Sequence, residues 1–334
     1  MSNATQINST GEYGSDIVTY SMETVVATTA NKVIAIVQMV YGIPSFLLII
    51  AFFFMLGLGK DYQNSFYRLV QLDLLTNMLC YFNNWLDLRL PKHPTGIAIQ
   101  KSIESTIPGL LTWSACFANL FLHMQFLSSV SLNIHRITSV VFFHQYEKIW
   151  SRWYPLYWIV SIVYSFGLSW PNRNAIEIRI ENGIFVNVWN WLYLGDLVFL
   201  NAVCSIVYFI LILGIGLVTA FLVSRKVRSV NNDDRGLNKK LTKIALTYCV
   251  LYMGTLFFSV ITAIETFFPF LPKVFMTYRT DILSFANDMV TLSLPFILLV
   301  YDANIRRQMM KIISRENGTG TSNVFVSSTT SNPR

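Results

Sequence analysis

Five charged residues stand inside long apolar segments of this chain, where an ionised side chain has few partners. They are Arg68, Asp73, Arg136, Glu265 and Asp288. A charge at the centre of a bilayer costs about 2.5–3.5 kcal/mol on insertion scales, so such residues face protein or a water-filled cavity and often have a functional role. Their chemistry would be that of ion pairs, hydrogen bonds and proton or ion binding.

Asp73 and Asn77 are four residues apart, which places them on one face of a helix. Asn287 and Asp288 lie in the last apolar segment, which ends at Tyr301. One hypothesis is a hydrogen-bonded network that positions the helices. The other is a proton or sodium site between Asp73 and the last segment that changes between two conformations. The sequence favours the structural hypothesis.

Enzyme signatures are missing from the sequence. It contains no H-E-x-x-H, no G-x-S-x-G and no P-loop. The four histidines are scattered without metal-ligand spacing, and the four cysteines all fall within apolar segments. We therefore expect no catalytic site, no metal, no cofactor and no disulfide in the second outer loop.

The elements that must hold these residues are seven apolar segments. A helix needs about 20 mostly apolar residues to cross a bilayer. Only 13% of the residues are charged, against about a quarter in soluble domains. The sequence predicts an all-α membrane protein with seven transmembrane helices, at Val33–Leu58, Phe66–Leu86, Ile107–Val141, Trp153–Trp170, Leu197–Val223, Ile244–Phe268 and Ile282–Tyr301.

The distribution of positive charge predicts the orientation of the bundle. With the N-terminus outside, 17 of the 25 Lys and Arg residues fall on the cytoplasmic side and 8 on the outer side. The net charge of +7 therefore reflects topology rather than nucleic-acid binding. Two glycosylation sequons, at Asn3 and Asn8, agree with an outer N-terminus. Without a cleavable signal peptide, the first span would direct insertion.

Four regions follow from this pattern. Residues 1–32 are expected to form an outer, glycosylated segment, and residues 33–301 a domain of seven transmembrane helices. Residues 302–315 have apolar positions at helical spacing among basic residues, which predicts an amphipathic helix on the inner leaflet. Residues 316–334 are rich in Ser and Thr and are expected to be disordered in the cytoplasm.

Four short stretches, taken in order, resemble the nematode serpentine receptor class gamma. They are Tyr41–Ser45, Asn64–Leu69, Tyr81–Trp85 and Ser128–Arg136. The resemblance implies a G-protein-coupled chemoreceptor, multi-pass in the plasma membrane and placed in the sensory cilium of a chemosensory neuron. It does not imply a particular ligand.

The chain also departs from the rhodopsin-like pattern. His135 replaces the acidic residue before Arg136, so the usual ion pair there cannot form. The sixth span has no proline, and Pro295 is separated from Tyr301 by five residues. These changes leave the switch mechanism open.

A receptor of this kind would bind a small extracellular molecule within the bundle. The expected wall consists of Trp113, Phe117, Asn119, His123, Phe258 and Glu265, with Trp189 and Trp191 above. The outer half of the third span has no carboxylate, which argues against an amine and favours weakly polar or lipid-like cues.

The cytoplasmic face would bind a heterotrimeric G protein. The expected coupling residues are Arg136, Tyr146, Arg225, Lys226, Lys239 and Lys240. Arg136 alone has two readings, since it either snorkels to the surface or holds the inner helix ends closed. The basic loop equally fits anionic lipid. Phosphorylation among residues 327–331 would recruit an arrestin-like partner.

Two other classes of function remain open from the residues alone. One is a seven-span ligand-gated channel or transporter, although no inverted repeat is visible and the predicted orientation differs from that of insect odorant receptors. The other is a membrane protein that only traffics receptors.

Overall fold

The computed structural model describes residues 17–23, 28–59, 62–142, 145–226, 232–267, 272–302 and 305–310. The glycosylation sequons at Asn3 and Asn8 and the whole Ser- and Thr-rich tail lie outside these ranges. Of the predicted amphipathic helix, residues 305–310 are helical and residues 311–315 are not described.

Helices dominate the described structure. Their bounds are α1 Thr29–Leu58, α2 Ser65–Asn84, α3 Pro94–Thr106, α4 Leu110–Val141, α5 Tyr146–Ser169, α6 Asn172–Ala175, α7 Trp191–Lys226, α8 Asn232–Phe267 and α9 Lys273–Tyr301. The strands are β1 Ile17–Ser21, β2 Ile176–Glu181 and β3 Ile184–Asn190. The helical fold class predicted from the sequence is confirmed, and a long helix covers each predicted span.

Four of the long helices contain stretches that are apolar enough, by length and composition, to cross a membrane. These stretches are Thr29–Leu58, Leu110–Ser139, Trp191–Thr219 and Tyr278–Tyr301. Large apolar side chains on α1 and α7, such as Val40 and Phe199, are more than 60% exposed and suit contact with lipid. The count of seven crossings and the outer N-terminus stay predictions.

Local sequence sets several helix ends. The side chains of Thr28 and Asn64 accept hydrogen bonds from the backbone N–H of Asn31 and Tyr67, so both residues are N-caps. The predicted third span is interrupted at Gly109, which adopts a positive φ of 83°. Gly109 thus separates the unpredicted helix α3 from α4.

Helix α4 lies at the centre of the bundle, where it packs against α2, α5, α7 and α8, while α9 packs against α1, α2 and α8. The main apolar core joins these helices around fully buried residues such as Phe52, Leu74 and Leu256. Helix α2 buries several polar residues in this bundle, which makes it less apolar than the four helices named above.

The three strands form an antiparallel sheet in the order β1-β3-β2, which the sequence analysis did not predict. Asn182 and Gly183 both have positive φ and connect β2 to β3 in a two-residue turn, as expected for an Asn-Gly hairpin. The sheet covers a small core of Met22, Ile97, Leu111, Ile178 and Phe185. We call the end of the bundle that carries the sheet the outer end, after the predicted orientation.

Candidate functional site

The outer end of the bundle contains a buried ion pair that the sequence analysis missed. The Arg89 guanidinium pairs with the Asp288 carboxylate, and both side chains are at most 3% exposed. The Tyr41 hydroxyl donates to Oδ2 of the same carboxylate at 2.5 Å. We call Tyr41, Arg89 and Asp288 the outer polar centre, and it ties α1, the end of α2 and α9 together.

A π-helical turn at Trp85–Arg89 continues α2 and carries Arg89 inward. The guanidinium carbon lies 5.1 Å from the Tyr81 ring centroid and 5.0 Å from that of Trp85. The count of Lys and Arg residues places Arg89 among the charges of the outer loops, so its pairing with Asp288 was not predicted. The four-residue spacing of Tyr81, Trp85 and Arg89 was the available signal, since it stacks their side chains on one helix face.

Gly42 allows this arrangement on α1. A Cβ atom at position 42 would lie 2.1 Å from the Tyr81 hydroxyl oxygen, closer than any van der Waals contact. The hydroxyl is buried and has no hydrogen-bond partner among the described residues. Gly42 is therefore required for the approach of α1 to Tyr81.

The middle of the bundle contains a chain of buried polar side chains. Asn77 donates to Asp73 at 3.0 Å and accepts from Gln125 on α4 at 2.8 Å. The same Gln125 nitrogen lies 3.0 Å from Thr291 Oγ1 on α9. We call Asp73, Asn77, Gln125 and Thr291 the middle polar chain.

The predicted network is thus divided between two levels. Asp73 reaches α9 through Asn77 and Gln125, whereas Asp288 belongs to the outer polar centre. Asn287 contacts the Cys80 sulfur, with its Nδ2 at 3.9 Å. The proton or sodium site between Asp73 and the last span stays a hypothesis.

At the inner end, α9 makes a further pair of contacts. Tyr301 accepts a hydrogen bond from Thr247 on α8 at 3.4 Å. Tyr67 on α2 donates to Asp302 Oδ2 at 2.7 Å, and Asp302 Oδ1 accepts from the Ile305 backbone N–H at 3.2 Å. Asp302 therefore joins α2 to the helical segment 305–310.

Arg136 is 3% exposed and lies over the Phe66 ring, with 3.8 Å between the guanidinium carbon and the ring centroid. Its Nε and Nη2 atoms have no hydrogen-bond partner among the described residues. The arginine is therefore packed inside the bundle by a cation–π contact and does not snorkel to the surface.

His135, beside Arg136, bonds elsewhere. Its Nε2 lies 2.7 Å from the Ser65 hydroxyl, and Glu147 accepts from the Ser65 backbone N–H and hydroxyl at 2.7 and 2.8 Å. Tyr146 packs edge-on against the His135 ring. This cluster connects α2, α4 and α5 at the inner end.

The predicted ligand-wall residues fall into separate places. Trp113 and Phe117 pack toward α5, where Trp113 stacks on Phe166. His123 faces α7, with its Nδ1 2.8 Å from the Tyr208 hydroxyl, and Asn119 is buried on α4.

The remaining wall residues belong to α8. Phe258 packs against Phe275 of α9, and Glu265 is buried. The rings of Trp189 and Trp191 lie 5.8 Å apart. The six predicted residues thus lie on α4 and α8, and they do not line one described cavity.

A cavity of about 710 Å³ lies beside the sheet at the outer end, and we call it the vestibule. It is lined by residues of α3, α4, α6, α7 and the sheet, including Glu104, Trp113, Arg173, Glu177 and Tyr193. Arg173 lies over the Trp113 and Trp170 rings. Of the predicted wall, only Trp113 lines this space. Its mixture of charged and aromatic groups suits a small polar molecule.

Hydrogen bonds and an ion pair attach the sheet to its neighbours. All four cysteines are free, so no disulfide contributes. Lys101 on α3 pairs with Glu23 at 2.5 Å, and Glu23 accepts from the Phe185 backbone N–H at 3.1 Å. These bonds to Lys101 and Phe185 lower the pKa of the Glu23 carboxyl. The N-terminal strand is thus attached to both α3 and the second outer loop.

The other predicted coupling residues are basic residues of α7 and α8. Arg225 and Lys226 end α7, and Lys239 and Lys240 lie near the start of α8, but their side chains are not described. Among the described residues, no three His, Cys, Asp or Glu side chains are grouped closely enough to hold a metal ion.

A helical bundle with apolar outer faces, membrane-length helices and a buried polar interior defines a multi-pass membrane protein. Comparison with known proteins gives the narrower class. Residues 35–309 match the model of the Srg family, described as chemoreceptors. The chain belongs to the Srg family of chemoreceptors, as the sequence motifs indicated.

Two relatives from Caenorhabditis elegans are similar over most of the chain. Serpentine receptor class gamma-47 is 35% identical over 275 residues, which cover 82% of this chain and 89% of the relative. Serpentine receptor class gamma-53 is 27% identical over 271 residues, covering 80% and 87% respectively. The family is one of chemoreceptors and not of enzymes.

Proposed function

We propose that this chemoreceptor detects a small extracellular cue at its outer end and activates a heterotrimeric G protein at its inner end. The observation that carries the proposal is the sequence of contacts along α9. This helix bonds to the outer polar centre through Asp288, to the middle polar chain through Thr291 and to α2 through Asp302, which directly follows its last residue.

Pro295 gives α9 a place to bend between these contacts. A proline has no N–H, so the carbonyl four residues earlier loses its helical hydrogen bond. That carbonyl belongs to Thr291, whose side chain contacts Gln125. A change at the outer polar centre would therefore alter the helix most easily where it joins the middle polar chain.

Binding must favour one conformation of the bundle, because a ligand with equal affinity for two states shifts neither. In this proposal the cue enters through the vestibule, and α9 changes its contacts with α2 and α8. The inner cluster around Arg136 and Tyr146, together with the basic ends of α7 and α8, then binds the G protein. Signalling takes place at the plasma membrane of a sensory cilium.

The test is a screen of small water-soluble and volatile cues on cells that express the full chain with a promiscuous G protein. We expect a dose-dependent response that Arg136→Ala abolishes while surface expression persists. Arg307→Ala, on the exposed surface of the segment 305–310, is the matched control. A response that is unchanged in Arg136→Ala, or that persists without G protein, would contradict the proposal and favour a channel.

Tags at the two termini test the orientation in the same cells. Antibodies applied to unpermeabilised cells should stain the N-terminal tag alone. Staining of the C-terminal tag alone would reject the orientation.

A further inference from the structure

A second cavity, of about 330 Å³, lies between the outer ends of α1 and α9. We call it the α1–α9 groove. Its apolar wall consists of Val33, Ile34, Val37, Ile282 and Phe285. Val33, Val37 and Phe285 are each more than half exposed, so the groove opens sideways toward the bilayer.

The deep side of the groove is polar. Gln38 lines it, is only 6% exposed and makes no side-chain hydrogen bond among the described residues. A nearly buried amide without a hydrogen-bond partner is destabilising, and an occupant that bonds to it removes this penalty. Gln38 is thus a side chain that needs a partner within the groove.

The charge that lines the groove is already neutralised. Asp281 lines it and pairs with Lys92. Tyr41 also lines it and donates to Asp288, which pairs with Arg89. A charged head would meet no unpaired counter-charge among the residues that line the groove, whereas a neutral hydroxyl both donates to and accepts from the Gln38 amide.

The volume restricts the size of the occupant. A site of 330 Å³ is at the lower end of the range of about 300–1,000 Å³ that is usual for small molecules, and it is too small for a whole phospholipid. An apolar chain would lie between Val37 and Phe285, with its polar end at Gln38.

We propose that the α1–α9 groove binds a neutral, single-chain amphiphile with a hydroxyl head, which reaches it through the outer leaflet. The site adjoins Tyr41 of the outer polar centre. If the proposed function holds, an occupant there changes the contacts of α9 from the side, independently of the vestibule.

The test uses the full chain in phosphatidylcholine nanodiscs and a medium-chain alcohol that carries a diazirine. After illumination, mass spectrometry maps the labelled peptides, and the unmodified alcohol serves as competitor. We expect saturable labelling of α1 and α9 that the competitor removes. Val37→Trp, which fills the groove, should abolish it.

Val40→Trp is the matched control, because Val40 lies on the same helix but is 69% exposed and does not line the groove. Gln38→Leu should raise the half-saturating concentration about fivefold through loss of the hydrogen bond. This variant keeps the test valid if Val37→Trp does not fold.

Three results would overturn the proposal. They are labelling that does not saturate, labelling that Val37→Trp and Val40→Trp reduce equally, and labelling that only a diacyl phospholipid displaces. G-protein nucleotide exchange is measured in the same nanodiscs. Saturable labelling without an effect on exchange would retain the binding site and reject an influence of its occupant on α9, while the response to a cue in the vestibule is tested separately.

Discussion

Arg89 at the outer end and Arg136 at the inner end are both 3% exposed, yet the bundle holds them differently. Arg89 pairs with a carboxylate and lies beside two aromatic rings. Arg136 lies on the Phe66 ring, and no ion pair involves it among the described residues. The outer arginine is therefore tied to a counter-charge, whereas the inner arginine packs on an aromatic ring.

The largest effect is expected from breaking the outer ion pair. Asp288→Asn leaves the Arg89 cation buried without its counter-charge, which costs about 3–5 kcal/mol. The midpoint of thermal unfolding in detergent should fall sharply. The double variant R89M/D288L removes both charges and should recover most of the loss. A D288N midpoint close to that of the wild type would show that the pair is not a structural tie.

A smaller loss is expected when α1 is pushed away from the same centre. Gly42→Ala places a methyl group against the Tyr81 hydroxyl and should destabilise the receptor by about 1–3 kcal/mol, as overpacking does. Tyr81→Phe removes the unpartnered hydroxyl and should rescue this variant. Gly167→Ala, which has open space at its Cβ, is the control. Equal midpoints for G42A and G167A would refute the close contact.

The comparison predicts a still smaller change in stability at the inner end. Arg136→Met loses a cation–π contact worth about 2 kcal/mol but also removes the desolvation of a buried cation, so the two effects offset each other. Its thermal midpoint should lie well above that of Arg89→Met, although its G-protein activation is lost. A midpoint as low as that of R89M would place Arg136 in an equally strong structural tie.

The smallest effect concerns the sheet and depends on pH. Folding lowers the pKa of the Glu23 carboxyl. Its contribution to the stability of the sheet is therefore present above the ordinary pKa of 4.5 and disappears as the pH falls through the pKa of the folded protein. The protection factors of the β1 backbone amides, which compare each exchange rate with that of an unfolded chain at the same pH, should fall as the medium is acidified below pH 4.5. Glu23→Gln should remove this pH dependence. An unchanged dependence in that variant would assign it to another group.

The sequence predicts these two ends unequally well. Apolar length and charge distribution located the long helices, because lipid requires both along a continuous segment. The inward polar face of Asp73 and Asn77 also followed from helical spacing. The burial of Arg89 did not, because it depends on a π-helical turn beyond the apolar segment and on a partner 199 positions away.

The sheet was missed for a similar reason. Its strands are short, and β1 pairs with a strand far along the chain, so local periodicity carries little signal. The Asn182-Gly183 pair was the one strong local indication of a hairpin. Helical spacing does not fix the rotation of α4, which turns Trp113 toward α5 and His123 toward α7, and the ligand wall stays a prediction.

The central claim is that α9 couples the outer polar centre to the inner contacts. Hydrogen exchange in nanodiscs tests it most directly, with R89M/D288L compared with the wild type. The claim predicts several-fold faster exchange at the backbone amides of Ile305 and Arg306, which bond to Asp302. Unchanged exchange at these amides, in a variant that has lost the outer ion pair and remains folded, would contradict it.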